Sequence, residues 1–179
     1  MYWILFVMSA VAAVVVALVV GGLATPRHHA VARTMTVPAP PEAVWATIRD
    51  VARYGEWRHD LESADVVDAD QPAPQPRWRE VTTGGSITFG MTVDEPPARM
   101  VARILDEDLQ FTGEWSWRLV PDINGTRVTI TERGSVGNPV VRFVGAHFIG
   151  HTKSIDRYLR ALGEWHGAYR LTIDDAAPA

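Results

Sequence analysis

The sequence predicts an α+β protein in which one antiparallel sheet curves around a long C-terminal helix, preceded by a helix that spans a membrane. Three observations support this prediction. Residues 2–24 are almost entirely apolar, residues 86–131 alternate between apolar and polar side chains, and residues 139–167 carry one apolar stripe at helical spacing. Because the strand-like segments follow one another through short turns, we expect an antiparallel sheet rather than a parallel one.

The composition excludes several classes of function. The chain has 179 residues, which suffice for one domain and an appendage. Its formal net charge of −4 argues against nucleic-acid binding, which usually requires a basic face. The chain contains no cysteine, so disulfides, thiolate nucleophiles and zinc–sulfur sites are excluded.

The first 24 residues predict a membrane anchor. Tyr2–Ala24 contains no charged side chain, and as a helix it would extend for about 35 Å, enough to cross a hydrocarbon core of about 30 Å. A cleaved signal peptide is the alternative, but the apolar run is long for one and no basic segment precedes it. Arg27 and Arg33 follow the run, so the positive-inside rule predicts a single-pass protein whose C-terminal domain faces the cytoplasm.

The rest of the chain is expected to form one domain that opens with a strand and two short helices. His28–Val37 alternates loosely and predicts the strand. Pro38–Glu42 supplies prolines and an acid at a helix start, and Val51–Trp57 predicts a second short helix. The expected division is an anchor at 1–24, a linker at 25–27, a folded domain at 28–168 and a disordered tail at 169–179.

Four strands of an antiparallel meander are predicted next. In each strand the apolar side chains alternate with polar ones, so the apolar residues share one face. The Asn-Gly pair within Asp122–Gly125 predicts a hairpin turn, because it tolerates positive φ. The residues on the apolar face are Ile87, Phe89, Met91 and Val93; Met100, Ala102 and Ile104; Phe111, Gly113, Trp115, Trp117 and Leu119; and Val128 and Ile130.

A helix of some 29 residues is predicted from Pro139 to about Gly167. Such a helix with one apolar face needs a broad partner, and the curved sheet is the expected one. Its polar residues fall opposite the apolar stripe and are expected to face solvent. They are Arg142, Lys153, Asp156, Arg157, Arg160 and Glu164.

The order of elements and three stretches of sequence resemble the SRPBCC or START-like superfamily, of the polyketide cyclase/dehydrase type. The stretches are VPAPPEAVWATIRDVARYGEW, DEPPARMVARILDEDLQFTGEWSWRLVPDINGTRVTITERGSVGNPVVRF and SIDRYLRALGEW, which span most of Val37 to Trp165. The resemblance implies the helix-grip fold. It also implies an apolar cavity between the sheet and the long helix that takes lipids, sterols, polyketides or other small apolar molecules.

The apolar phase of each element predicts which side chains line such a cavity, because a sheet wrapped on one helix has a single concave side. For the aromatic residues an ordinary core role stays open, since aromatic rings fill small domains routinely. The predicted lining residues are Trp78, Phe89, Met91, Met100, Trp115, Trp117, Phe143, His147 and His151.

Two of the inward residues are candidates for acid–base chemistry. Glu132 continues the phase of Val128 and Ile130, and His151 lies within the apolar stripe of the long helix. For Glu132 the simpler interpretation is a strand end that reaches solvent or pairs with a nearby arginine. His147 and His151 stand four residues apart, but a metal site needs further ligands, so we expect neither a metal nor a cofactor.

The sequence therefore favours a membrane-tethered domain that binds or carries an apolar small molecule or lipid. The alternatives are an enzyme of the cyclase or dehydratase type, acting through His151 and a carboxylate, and a protein-interaction module. A cavity lined only by apolar groups would favour carriage. Polar groups that are buried and bonded to one another would favour the enzyme.

Overall fold

The computed structural model describes residues 2–67, 75–150 and 152–178. Its largest element is an eight-stranded antiparallel sheet in the order β2-β3-β4-β5-β6-β7-β1-β8. The strands are β1 (His28–Val37), β2 (Ser63–Val67), β3 (Arg77–Thr82), β4 (Gly85–Glu95), β5 (Arg99–Ile104), β6 (Phe111–Asp122), β7 (Gly125–Val136) and β8 (Asp174–Ala176).

The helices flank this sheet in the order that the sequence predicts. A turn of 3-10 helix, Val51–Arg53, joins α2 to α3, and a π-helical turn, Gly145–Ile149, follows α4. The α-helices are α1 (Tyr2–Ala24), α2 (Pro41–Arg49), α3 (Tyr54–Trp57), α4 (Pro139–Val144) and α5 (Lys153–Trp165).

The predicted fold class is confirmed, because the curved antiparallel sheet packs its apolar face against the C-terminal helix α5. Ile155, Leu159 and Leu162 share one face of α5 and are completely buried. The inward residues of the sheet meet them with the period of two that the sequence shows, and Val128 and Ile130 of β7 are equally buried.

The predicted 29-residue helix is interrupted, which corrects the sequence interpretation. The first part ends at Gly150, whose φ of 77° lies in the left-handed region that glycine adopts without a steric penalty. A residue in this conformation ends a helix, and α5 begins only at Lys153. The two parts have different main partners, since α5 packs mainly on β1 and α4 mainly on α1, although both also contact β7.

The C-terminal tail, expected to be disordered, contributes the edge strand β8. This strand pairs antiparallel with β1. Arg33 of β1 fixes it, because the Arg33 guanidinium donates to Asp156 of α5 at 2.7 Å and to Asp175 of β8. The tail therefore joins the sheet through a salt bridge that links β1, α5 and β8.

Helix α1 is apolar along its whole length and exposed nearly everywhere. It has the length and hydropathy needed to cross a membrane. At its C-terminal end the Thr25 hydroxyl donates to the Gly21 carbonyl oxygen at 2.9 Å, and two residues later the Arg27 carbonyl accepts from the Val136 amide at 3.0 Å. The linker that follows α1 is therefore hydrogen-bonded to the last residue of β7.

Candidate functional site

A cavity of about 430 Å³ lies between the concave face of the sheet and the segment that runs from α4 into α5. The strand residues at the mouth of the cavity all lie at the same end of the sheet, where their strands begin or end. His29 is the second residue of β1, Ile104 the last of β5, Phe111 the first of β6 and Val136 the last of β7. Because successive strands run antiparallel, these positions lie at the same end of the strands. We call this the anchor end of the sheet because β1 begins there, four residues after α1 ends.

Four of the predicted aromatic residues converge on this cavity. The rings of Trp78 on β3 and Phe89 on β4 stack with centroids 5.5 Å apart. The rings of Trp115 and Trp117 on β6 lie 6.1 and 5.9 Å from the ring of Tyr158 on α5. These contacts follow from the strand phase read in the sequence, and they give the cavity an aromatic wall.

Met91 and Met100 do not line the cavity. Both point inward as predicted, but Met91 pairs with Ala102 and Met100 with Trp117, and both methionine side chains are buried in the apolar core. The strand phase identifies the face on which a residue lies and not what covers its side chain. The register places Met91 level with Trp115 and Met100 opposite Trp117, but the two methionine side chains are covered by the core and do not reach the cavity.

Phe143 and His147 also lie away from the cavity. Their rings stack with centroids 4.4 Å apart, and His147 is exposed. The break at Gly150 is the physical reason, because it lets α4 turn this face toward α1 instead of the sheet. His151 lies outside the described residues, and its place in the cavity stays a prediction.

Glu132 lies in the cavity wall and its partner is a histidine. Its Oε1 atom lies 3.3 Å from Nε2 of His29, and the two side chains are 19% and 17% exposed. The simpler expectation of solvent or an arginine partner is therefore wrong. Sequence reasoning missed His29, although the alternation of β1 through Val31 and Met35 places it on the inward face.

A second polar group at the cavity has a buried arginine at its centre. Arg58 follows α3 and is only 6% exposed. Its guanidinium donates to the two Asp60 carboxylate oxygens at 2.8 and 2.9 Å and to Glu80 at 3.4 Å, while Trp78 Nε1 donates to Glu80 at 3.0 Å. The Arg58 Cζ atom also lies 4.6 Å from the centroid of the Tyr158 ring, a cation–π contact.

Burial and pairing shift the pKa values in this group. Burial would lower the pKa of Arg58, but the hydrogen bonds with Asp60 and the charge of Glu80 outweigh it and raise the pKa. Burial acts to raise the pKa of Asp60, and the Arg58 hydrogen bond more than compensates, so the net pKa is lowered. Burial raises the pKa of Tyr158 well above its usual value. Arg58 is therefore charged and the Tyr158 phenol neutral at physiological pH.

The cavity thus combines aromatic walls with two polar groups, the partly buried pair His29–Glu132 and the group that Asp60 and Glu80 form around the buried Arg58. Nε1 of Trp117 is buried in the same wall without a hydrogen-bond partner among the described residues. Among those residues there is also no cluster of three or more histidines and acids that could hold a metal ion. A wider depression of about 800 Å³ lies on the outer face of the sheet, but the aromatic rings and buried charges converge on the internal cavity.

Comparison with known proteins supports the same fold. Residues 28–164 match a family described as polyketide cyclase / dehydrase and lipid transport. A protein from Thermus thermophilus superposes with a TM-score of 0.64 at 22% identity, covering 77% of this chain and 97% of that one. The Zhui aromatase/cyclase of Streptomyces sp. R1128 gives 0.60 at 18% identity, covering 78% and 93%.

A point mutant of norcoclaurine synthase from Thalictrum flavum, in complex with a transition-state analogue, gives a TM-score of 0.62 at 8% identity and covers 78% of this chain and 94% of that one. At such identities the similarity to solved structures shows the fold alone. No curated protein matches the sequence.

Proposed function

Because this chain belongs to the polyketide cyclase / dehydrase and lipid transport family, we propose that its cavity binds a mainly apolar small molecule next to a membrane. The observation that carries the proposal is the aromatic wall of Trp78, Phe89, Trp115 and Trp117 at the anchor end of the sheet. Each 100 Å² of apolar ligand surface removed from water there contributes roughly 2.5 kcal/mol. A mid-sized ligand therefore needs no charged contact to be held.

A second candidate function is that of a cyclase or dehydratase acting on the same ligand. The observation that favours it is that the polar groups of the cavity are partly buried and bonded to one another. The His29–Glu132 pair has residue types that act in general acid–base catalysis, and both residues line the cavity. Ligand binding is common to both candidates, whereas proton transfer belongs only to the second.

A pair of substitutions on β4 tests ligand binding. Ile87 lines the cavity, and its neighbour Ser86 is exposed outside it. In the full chain, held in lipid nanodiscs, we expect Ile87→Asp to abolish energy transfer from tryptophan to bound 1-anilinonaphthalene-8-sulfonate, because a charge in the apolar wall has no partner. Ser86→Asp should leave the signal unchanged. Equal signals from the two variants would contradict the proposal.

The two candidate functions differ in what Glu132→Gln retains. If the protein only carries its ligand, mass spectrometry should find the same molecule bound to the wild-type protein and to this variant. If the protein is a dehydratase, the variant should accumulate a substrate that is heavier than the wild-type product by one water molecule. An identical bound molecule in both proteins would count against the enzyme.

We also propose that α1 anchors the protein as a single-pass helix with the domain in the cytoplasm. The support is the uncharged length of α1 and the positive charge of Arg27 beyond it. Arg33 adds little to this asymmetry, because Asp156 and Asp175 neutralise it. The full chain should resist carbonate extraction, and recovery of a protein trimmed near Ala24 would contradict the anchor.

The absence of native cysteine allows a direct test of orientation. Ala177→Cys would introduce one thiol near the C-terminus. We expect this thiol to be shielded from a membrane-impermeant reagent in intact cells and to react after the membrane is opened. Labelling in intact cells would place the domain on the other side.

A further inference from the structure

Helix α4 packs against the last turns of α1, and glycine permits the contact. A Cβ atom at Gly22 would collide with the carbonyl oxygen of Pro139, and one at Gly21 would lie 2.7 Å from the ring of Phe143. Leu18, one turn earlier in α1, is also partly shielded. Helix α4 therefore lies alongside the apolar run itself and not only beside its end.

The same short helix forms part of the cavity wall. Val141 and Gly145 line the cavity, whereas Pro139 and Phe143 contact α1. At about 100° per residue these two pairs fall on roughly opposite sides of the helix axis. Helix α4 thus separates the cavity from α1, and with α1 in a bilayer it separates the cavity from the lipid.

Arg142 lies between these two faces of α4, and no described residue supplies a counter-charge to it. The sequence periodicity places it on the solvent side of a continuous helix, but it is buried, with 4% of its surface exposed. Its Nε atom is buried without a hydrogen-bond partner, and no carboxylate among the described residues forms an ion pair with it. Arg58 is buried to the same degree but is held by Asp60 and Glu80.

A buried guanidinium without a partner is strongly unfavourable, and buried charges in proteins are almost always paired. The helix that carries Arg142 borders both the cavity and the membrane-spanning segment. An anionic group that reaches this position from outside the protein would supply the missing charge and could form two parallel hydrogen bonds with the guanidinium.

We propose that Arg142 is the anion-binding residue of a bilayer-side entrance to the cavity, and that the ligand is a membrane-dissolved amphiphile with an apolar body and one anionic group. The ligand passes between α1 and α4, its charge pairs with Arg142, and its body enters the aromatic cavity. This inference rests on the proposed function, since it requires a ligand-binding cavity and a membrane-embedded α1.

Retinol and retinoic acid test the anion site, because they share one apolar body and differ in a hydroxyl or a carboxylate. Binding is followed by energy transfer from tryptophan, with the full chain in phosphatidylcholine nanodiscs at alkaline pH. We expect the wild-type protein to bind retinoic acid about tenfold more tightly than retinol, and Arg142→Met to remove this preference while retinol binding stays within about twofold. Arg160→Met, at an exposed position of α5, is the matched control and should keep the preference.

Thermal unfolding separates this role from a structural one. Arg142→Met should not lower the midpoint of unfolding, because methionine replaces an unpaired buried charge with an apolar chain of similar length. A lower midpoint together with weaker binding of both retinoids would overturn the proposal. Loss of the preference when phosphatidylserine is added to the nanodiscs would also overturn it, since a lipid headgroup would then be the partner of Arg142.

The entrance is tested by the rate of retinoic acid exchange between nanodiscs. Gly22→Leu should force α1 away from α4 and speed loading and release about tenfold, with the dissociation constant unchanged within about twofold. Phe143→Ala removes the ring beside Gly21 and should act in the same direction, which keeps the test valid if Gly22→Leu misfolds. Val20→Leu, at an exposed position of α1, is the control. Unchanged rates in both loosened variants would refute the entrance.

The outcomes distinguish a failure of the proposed ligand-binding function from a failure of the anion site alone. If the wild-type protein binds neither retinoid nor 1-anilinonaphthalene-8-sulfonate, the proposed function fails and this inference fails with it. If the wild-type protein binds both retinoids equally and Arg142→Met changes neither, the cavity stands and only the anion site is refuted.

Discussion

The two ends of the sheet differ although the same strands form both. At the anchor end, Trp115 of β6 and Glu132 of β7 border a cavity. Further along the same strands and on the same face, Leu119 and Val128 are buried in a filled core. We call this region, which also contains Val37, the distal end.

The difference between the two ends lies in what packs against the sheet. At the distal end α2 contacts β6 and β7, and its side chains Val44 and Ile48 fill the space above them. At the anchor end α4 also contacts β7, but it packs mainly against α1 and leaves the cavity between itself and the sheet. A side chain that points inward from the sheet is thus not necessarily part of the core. A helix must also cover the sheet there and fill the space above it.

The largest expected effect is a difference in the free energy of unfolding between two substitutions on β6, one at each end of the sheet. Leu119→Ala, at the distal end, should lower the free energy of unfolding by about 3 kcal/mol, because it leaves a hole in a filled core. Phe111→Ala, at the cavity mouth, should cost about 1 kcal/mol or less, since its ring already borders open space. Urea unfolding followed by near-ultraviolet circular dichroism measures both. Equal losses would mean that the two ends are packed alike.

The next effect compares the two buried arginines. Arg58→Met should lower the free energy of unfolding by about 2 kcal/mol, because it leaves Asp60 and Glu80 buried without their cation. Arg142→Met should cost nothing in the same measurement, since no described carboxylate depends on it. A large loss at position 142 would show that Arg142 has a structural partner.

A smaller effect concerns the stability of the anchor end in acid. The pKa of Asp60 is lower in the folded protein than in the unfolded chain, so its contribution is complete above the unfolded value of about 4 and is lost as the pH falls through the folded pKa. We expect a loss of about 1 kcal/mol below pH 4 from this group. Unfolding measured between pH 6 and pH 3 should show a weaker acid dependence in Asp60→Asn. An unchanged pH dependence would argue against the Arg58–Asp60 bond.

The smallest expected effect lies at the opposite end of α5. His166 follows α5 and its Nε2 lies 3.1 Å from the Thr47 hydroxyl of α2, and burial lowers the pKa of His166. Since the folded pKa lies below the unfolded value, stability is full above about pH 6.5 and declines as the pH falls below it. His166→Gln should flatten the change in thermal midpoint between pH 7.5 and pH 5.5. A thermal midpoint that rises on acidification of the wild-type protein would contradict the lowered pKa of His166.

Much of the fold follows from local patterns in the sequence. The period of two identifies the inward face of β5 to β7 and of β4 as far as Met91, and an uncharged run of 23 residues identifies α1. Beyond Met91 the prediction for Val93 is wrong, because a β-bulge shifts the register and pairs Val93 with Val101 instead of an inward residue of β5. The same patterns do not show which inward side chains the core covers, which is why they predict Met91 and Met100 in the cavity although both lie in the core. The covering of a side chain depends on the strands and helices packed around it, and that is a tertiary property.

The polar residues of the site are harder to predict, because their partners are distant in sequence. Glu132 meets His29 only because β7 pairs with β1 across 103 positions. Arg142 is buried although the periodicity predicts exposure, because the predicted continuous helix is interrupted, and a glycine inside a predicted helix gives only a weak signal of a break. Arg58 carries no periodic signal, since it lies between elements.

Native mass spectrometry of the full chain extracted from membranes tests most directly the claim that the anchor end is a binding cavity. The wild-type protein and Ser86→Asp should each carry a noncovalently bound small molecule of the same mass. The variant Ile87→Asp should lack it, because its charge lies in the cavity wall. A wild-type protein without bound ligand, or the same bound mass in Ile87→Asp, would contradict the claim.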